Sequence, residues 1–264
     1  AAKQTLASSS LSSDNHYLDV AISEAVYNTN AGSGALESSD FSLTFAQNSG
    51  NATAATISSI KKNDNTAEGS ATALSGGETV IRIFLSISGL PNGVETITIT
   101  PVNGSSIYNT TGQAMGSSES TGAKTLNDKA PPTITGVSIA SDNSTIAVTM
   151  SEAVYNTDGG NGALEASDFT FTISGGAASL SSATPTSISS SGNVYTLGIG
   201  ISGTPTGAET LTVNPVDNGI YDALGNESIT NQSNNSANLK DKAPSTITGV
   251  SIASDNSTIA VTMS

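Results

Sequence analysis

Along most of this chain apolar residues recur at every second position. Ile146, Val148 and Met150 alternate with Thr145, Ala147 and Thr149, and Leu18, Val20 and Ile22 alternate with Asp19 and Ala21. Phe169, Phe171 and Ile173 alternate with threonines, and Phe41, Leu43 and Phe45 match them. Tyr195, Leu197, Ile199 and Ile201 form another one-sided run, answered by Ile81, Ile83, Leu85 and Ile87; Leu211 and Val213 answer Ile97 and Ile99. Successive side chains of an extended chain point to opposite faces, so each run predicts a strand with one buried and one wet face. Gly, Asn, Asp, Ser and Pro clusters separate the runs, and no stretch of helical length carries a 3.6-residue period. The expected fold is all-β.

The same pattern comes round more than once. SEAVYNT stands at Ser23–Thr29 and again at Ser151–Thr157, followed each time by GALE-x-SDF. SG-x-P-x-G-x-ET runs from Ser88 to Thr96 and from Ser202 to Thr210, and the first copy carries extra residues before it, the polar stretch Lys61–Gly69 among them. That stretch reads as a longer surface loop. Asp128–Ser151 and Asp241–Ser264 are identical but for Pro132, which becomes Ser245. Repetition on this scale marks a modular array. The predicted division is 1–127, 128–240 and 241–264, the last being the start of a third repeat in a longer tandem array. About seven strands per repeat imply immunoglobulin-like β-sandwiches, two sheets with their apolar faces turned inward.

Composition narrows the chemistry. The 264 residues include 22 acidic and 8 basic side chains, one histidine and no cysteine. A net charge of −14 opposes binding to nucleic acid or to an anionic membrane surface. No apolar run approaches the roughly 20 residues of a membrane span. Without cysteine there are no disulfides, thiolate metal sites or cysteine nucleophiles. His16 falls in a Ser-Asp-Asn-His turn with no G-x-S-x-G nucleophile motif, so it reads as a solvated turn residue. With 44 Ser and 34 Thr, the outward strand positions stay soluble without charge.

SEAV closing the second strand, SDF opening the third, and Asp-Ala-Leu-Gly-Asn at Asp222–Asn226 resemble the bacterial immunoglobulin-like repeats of large surface proteins, nearest to the SwmB-like branch. The first copy departs from that pattern, reading Asn109-Thr-Thr-Gly112-Gln113 without the acid. The resemblance implies a secreted, non-enzymatic stalk of a cell-surface adhesin, often stiffened by calcium. Its partners would be neighbouring repeats, with host or surface glycans and proteins engaged by other parts of the molecule.

Strand parity locates the acids. If the first strand of the second repeat leaves the linker, the second returns to it, and so does the strand beginning at Glu209. One pole then collects Asp128, Glu152, Asp158, Glu165, Asp168, Asp217 and Asp222. Carboxylates gathered this way repel one another, and a hard divalent cation would neutralise them; calcium takes 6–8 oxygen ligands of this kind. The linker Asn127–Pro131 is similar, by analogy, to the calcium-binding linkers of cadherins. Glu152 and Asp168 are the leading ligands, with Asp128, Asp158 and Asp222 beside them and Glu24 and Asp40 as counterparts in the first repeat. Asp158 and Asp222 become Asn30 and Asn109 there, so the first site is expected to bind more weakly. The opposing reading is that these acids are solvated and that Asp168 only shapes a turn.

Two other functions remain open at this level. End loops, or the inserted stretch Lys61–Gly77, would serve a glycan- or protein-binding module. The incomplete third repeat would serve a self-assembling filament subunit. A carbohydrate platform is disfavoured by 11 Phe and Tyr and no Trp. The Thr96, Thr98, Thr100 face falls short of an ice-binding array, because its counterpart keeps only Thr210 and Thr212.

Overall fold

The structure, a computed structural model, describes residues 3–264. They fall into two compact units, the first ending at Ala130 and the second running from Pro131 to Ser264. Apart from two short 3-10 turns, every regular element is a strand, and every pairing is antiparallel.

The first unit contains β1 (Leu6–Leu11), β2 (Tyr17–Tyr27), β3 (Phe41–Ala46), β4 (Ala54–Lys61), β5 (Glu78–Ser88), β6 (Thr96–Pro101), β7 (Tyr108–Asn109) and β8 (Lys124–Thr125). One sheet has the order β1-β2-β5-β4, with β7 also on β2; the other is β3-β6-β8. The second unit contains β9 (Ile134–Ile139), β10 (Thr145–Met150), β11 (Phe169–Ser174), β12 (Ser179–Leu180), β13 (Ile188–Ser191), β14 (Val194–Gly198), β15 (Ile201–Ser202), β16 (Thr210–Pro215) and β17 (Ser236–Asn238). Its sheets repeat the plan as β9-β10-β14-β13 and β11-β16-β17, with a small β12-β15 pair. A final hairpin joins β18 (Ile247–Ile252) to β19 (Ile259–Met263).

The alternation read from the sequence decides which side chains fill each interior. Leu18, Val20, Ile81 and Ile83 from the larger sheet meet Phe41, Ile97 and Ile99 from the smaller one. In the second unit Ile146, Val148 and Leu197 meet Phe169, Phe171, Leu211 and Val213. Register keeps like with like: Phe171 lies opposite Val213 on the inside, and Thr172 opposite Thr212 on the outside. Each unit therefore has its own core between two sheets, a sandwich arrangement.

The inserted stretch of the first unit does more than loop outward. Tyr17, Asp19, Arg82 and Phe84 occupy outward positions of β2 and β5, where the second unit has Thr145, Ala147, Thr196 and Gly198. The Arg82 guanidinium donates to both oxygens of Asp19 at 2.7 Å, and to the Asn65 carbonyl at 2.8 Å. It also lies 3.7 Å from the centre of the Tyr17 ring, a cation–π contact. Phe84 is fully buried although it points away from the main core, with His16 and Tyr17 edge-on to it. The segment is thus pinned to the sheet's outer face through Asn65. Arg82→Ala is expected to destabilise the first unit by about 2–4 kcal/mol, since it breaks a largely buried bidentate pair. A double-mutant cycle with Asp19→Ala in denaturant unfolding should return most of that loss as coupling energy; additive losses would mean the pair contributes little.

The turn after the first strand is built identically three times. Asn15, Asn143 and Asn256 adopt left-handed φ values of 61°, 63° and 56°, a conformation that Asn tolerates better than most residues. The preceding aspartates, Asp14, Asp142 and Asp255, each accept the backbone N–H two residues on. In the first unit Asn15 then closes a reciprocal pair with Asn127: Nδ2 donates to the Asn127 carbonyl and Oδ1 accepts its N–H, both at 2.8 Å. Asn143 makes the same pair with Lys240. The segment that follows the last strand of each sandwich, β8 or β17, is thereby clipped to that sandwich's first turn.

Candidate functional site

The pole of the second unit opposite that clip carries the acids. Two loops meet there because their backbones bridge, Tyr155 to Tyr221 and Tyr221 to Glu227. Gly225, of the Asp-Ala-Leu-Gly-Asn stretch, has φ +83°, and a Cβ there would lie 2.5 Å from the Asp158 carbonyl oxygen. Gly112 makes the equivalent approach to Asn30 in the first unit, at 2.3 Å. Glycine is what lets the two loops close on each other.

Within that pole Glu152 and Asp222 present carboxylate oxygens within 4.8 Å of each other. Asp222 is buried, and its orientation is fixed from behind. Its Oδ1 accepts the N–H groups of Leu224 and Asn226 at 2.8 Å each, and its Oδ2 accepts Asn226 Nδ2 at 2.7 Å. In the first unit Asn109 fills the Asp222 position and donates through Nδ2 to Glu24 Oε1 at 3.3 Å. One unit pairs two carboxylates where the other pairs a carboxylate with an amide. Of the expected ligands, then, Glu152 and Asp222 come together, while Glu24 is met by a hydrogen-bond donor.

Asp168 and Asp40 have another task. Each ends a short 3-10 turn, Ala166–Asp168 and Ser38–Asp40, and forms a capping box with the residue before the turn. Asp168 Oδ2 accepts the Glu165 N–H at 2.7 Å, and Asp40 Oδ2 accepts that of Glu37 at 2.8 Å. Partial burial pushes both carboxyls above their ordinary range; the capping N–H opposes the shift and the neighbouring glutamate adds to it. Within the second unit the structure does not bring Asp168 to the Glu152–Asp222 pair. Asp158 is exposed on its loop. Burial raises the Tyr221 phenol, with Glu227, Asp158 and Asp217 adding to it, so these acids set a negative field at the pole. Asp128 belongs to the first unit, where its Oδ1 accepts the Ala130 N–H at 2.9 Å beside Gly93.

Two buried acids were not singled out from the sequence. Glu95 and Glu209 are fully buried at the other pole. Glu209 accepts the N–H groups of Ala177, Ala178 and Thr206, and Glu95 those of Ala52 and Asn92. The signal was available in the repeated SG-x-P-x-G-x-ET, whose glutamate recurs in both copies beside residues that turn rather than extend. Comparison with protein-family models, curated proteins and solved structures finds no match.

Proposed function

We propose that this chain is a run of bacterial immunoglobulin-like modules acting as a non-enzymatic spacer in an extracellular, cell-surface protein, with calcium as its stiffening ion. The observation that carries the reading is the strand order, a four-stranded sheet over a three-stranded one, repeated on a duplicated sequence. In chain order of the principal strands both units read A-B-E-D and C-F-G, the arrangement of constant-type immunoglobulin sandwiches. Outward positions are mostly Ser and Thr, the lone histidine packs edge-on to Phe84, and there is no cysteine. Such a surface supports length and solubility rather than turnover.

The cation belongs with Glu152 and Asp222. Both are hard oxygen donors, and the hydrogen bonds behind Asp222 hold its carboxylate in place, as outer partners do for metal ligands. When bound, calcium would offset the two negative charges and fix the loop after β10 against the loop after β16, with backbone carbonyls and water completing the 6–8 oxygens it takes. Calorimetric titration with calcium should give a saturable heat for the wild type. Glu152→Ala should abolish it. Asp222→Asn, which installs the first unit's residue, should weaken it by at least an order of magnitude. Equal heats for all three proteins would remove the assignment.

A further inference from the structure

Asn is followed directly by Gly at Asn92–Gly93, Asn103–Gly104, Asn161–Gly162 and Asn218–Gly219. The backbone nitrogen after an Asn can attack the side-chain amide, and glycine, lacking a Cβ, leaves that approach open. The fold treats these pairs differently. Asn218 Nδ2 donates to Asp217 Oδ2 at 2.9 Å, and the Gly219 N–H is committed to the Val216 carbonyl at 3.0 Å. Asn161 is tethered to the residues in front of it: its Oδ1 accepts Thr157 Oγ1 and its Nδ2 donates to the Gly159 carbonyl, both at 3.2 Å. Asn92 Oδ1 is buried with no donor upon it. Asn103 differs from all of these. Both it and Gly104 are exposed, and a Cβ at Gly104 would meet nothing within 4 Å. Its Oδ1 accepts the Ser105 N–H at 2.7 Å.

We propose that Asn103 is a self-modifying site, which deamidates by attack of the Gly104 nitrogen on its side-chain amide. The Ser105 N–H bends that side chain back over the following peptide. It also donates to the oxygen on which negative charge develops, the role of an oxyanion donor. Hydroxide takes the Gly104 N–H proton as the nitrogen bonds to Asn103 Cγ. Oδ1 carries the charge until the Cγ–Nδ2 bond breaks, and Nδ2, protonated by water, leaves as ammonia. Water then opens the cyclic imide at one carbonyl or the other, giving aspartate or its β-linked isomer. The second unit shows that the fold accepts the aspartate. Pro101 and Pro215 lie opposite Phe41 and Phe169, and the N–H groups of Val102 and Val216 donate to the carbonyls of Asp40 and Asp168. Asn103 therefore stands where Asp217 does, and conversion adds to the first unit a charge that the second encodes. The isomer's extra backbone methylene would instead disturb the Ser106 hydroxyl, which donates to the Asp40 and Asn103 carbonyls at 3.1 and 3.3 Å.

The test incubates the folded full chain in mildly alkaline buffer and follows every Asn-Gly pair by peptide mapping and mass spectrometry. Asn103 should convert roughly tenfold faster than Asn92, Asn161 and Asn218, releasing ammonia and leaving both aspartate and isoaspartate. In denaturant the rates should converge, because the bonds that distinguish the pairs are gone. Gly104→Ala has room for its methyl group, which crowds the attacking nitrogen and should slow Asn103 by roughly tenfold. Ser105→Pro removes the N–H donor and should slow it by roughly tenfold or more. An Asn103 no faster than its fellows in the folded chain would overturn the proposal. So would the same ranking in denaturant, which local sequence alone would explain, or a Ser105→Pro rate equal to that of the wild type. None of these outcomes bears on calcium or on the spacer reading, which are tested separately.

Discussion

Truncating Phe171 to Ala is expected to lower the stability of the second unit by about 3–5 kcal/mol, the usual loss for a buried aromatic ring. The side chain is 1 % exposed and sits where both sheets meet, beside Phe169, Tyr195 and Val213, so the strands cannot collapse into the space without losing register. At this size each kcal/mol moves a melting temperature by roughly 4 °C, which puts the shift at about 12–20 °C. The first unit should melt where it did before, because its core is assembled entirely from its own residues. Calorimetry of the whole chain reads both transitions at once. If the first moved with the second, the two halves would be one cooperative structure and the spacer reading would be wrong.

Glu209→Gln should change how the second unit responds to acid. The backbone N–H groups of Ala178, Ala177 and Thr206 hold the Glu209 carboxyl down at about 2, against the burial that opposes it. A folded-state value below the unfolded one means that folding favours the ionised form. Its contribution is present above about pH 4.5, and is lost as the pH falls from there toward 2. The wild type should therefore lose stability steeply across that interval. Glutamine offers one acceptor oxygen and turns an NH2 group toward N–H donors, so the variant should be less stable at neutral pH and flatter below pH 4.5. Chemical denaturation at stepped pH measures this, and parallel curves for the two proteins would discount the role. Glu95, which Ala52 and Asn92 hold below the ordinary range despite its burial, should make the first unit lose stability in acid in the same direction.

Much of the fold was legible because period-two alternation states both the element and its inner face. Ile146, Val148, Phe171 and Val213 are buried as their spacing requires. Strand parity also placed the loops around Glu152 and Asp222 at one pole, since antiparallel neighbours deliver their ends alternately. Distances within the pole were not legible. They depend on left-handed glycines such as Gly225 and on the 3-10 turn that turns Asp168 toward its own Glu165 N–H. Outward positions were misleading in another way: Asp19 and Arg82 stand 63 residues apart and look like solvated charges until register sets them side by side. Glu209 escaped notice because the pattern reads it only as the first residue of a strand, whereas the folded loops turn the N–H groups of Ala177, Ala178 and Thr206 onto its carboxylate.

The reciprocal Asn15–Asn127 and Asn143–Lys240 bonds bear on how each unit would take a pull. The exit strand β8 lies on the edge of the smaller sheet, so tension applied beyond it would otherwise peel it from β6 one rung at a time. With Asn127 tied to the first turn, the load passes at once into β1 and β2 on the larger sheet. Rupture then requires several bonds to break together, and one side-chain amide in each module decides whether it tears like a zipper or resists like a lap joint.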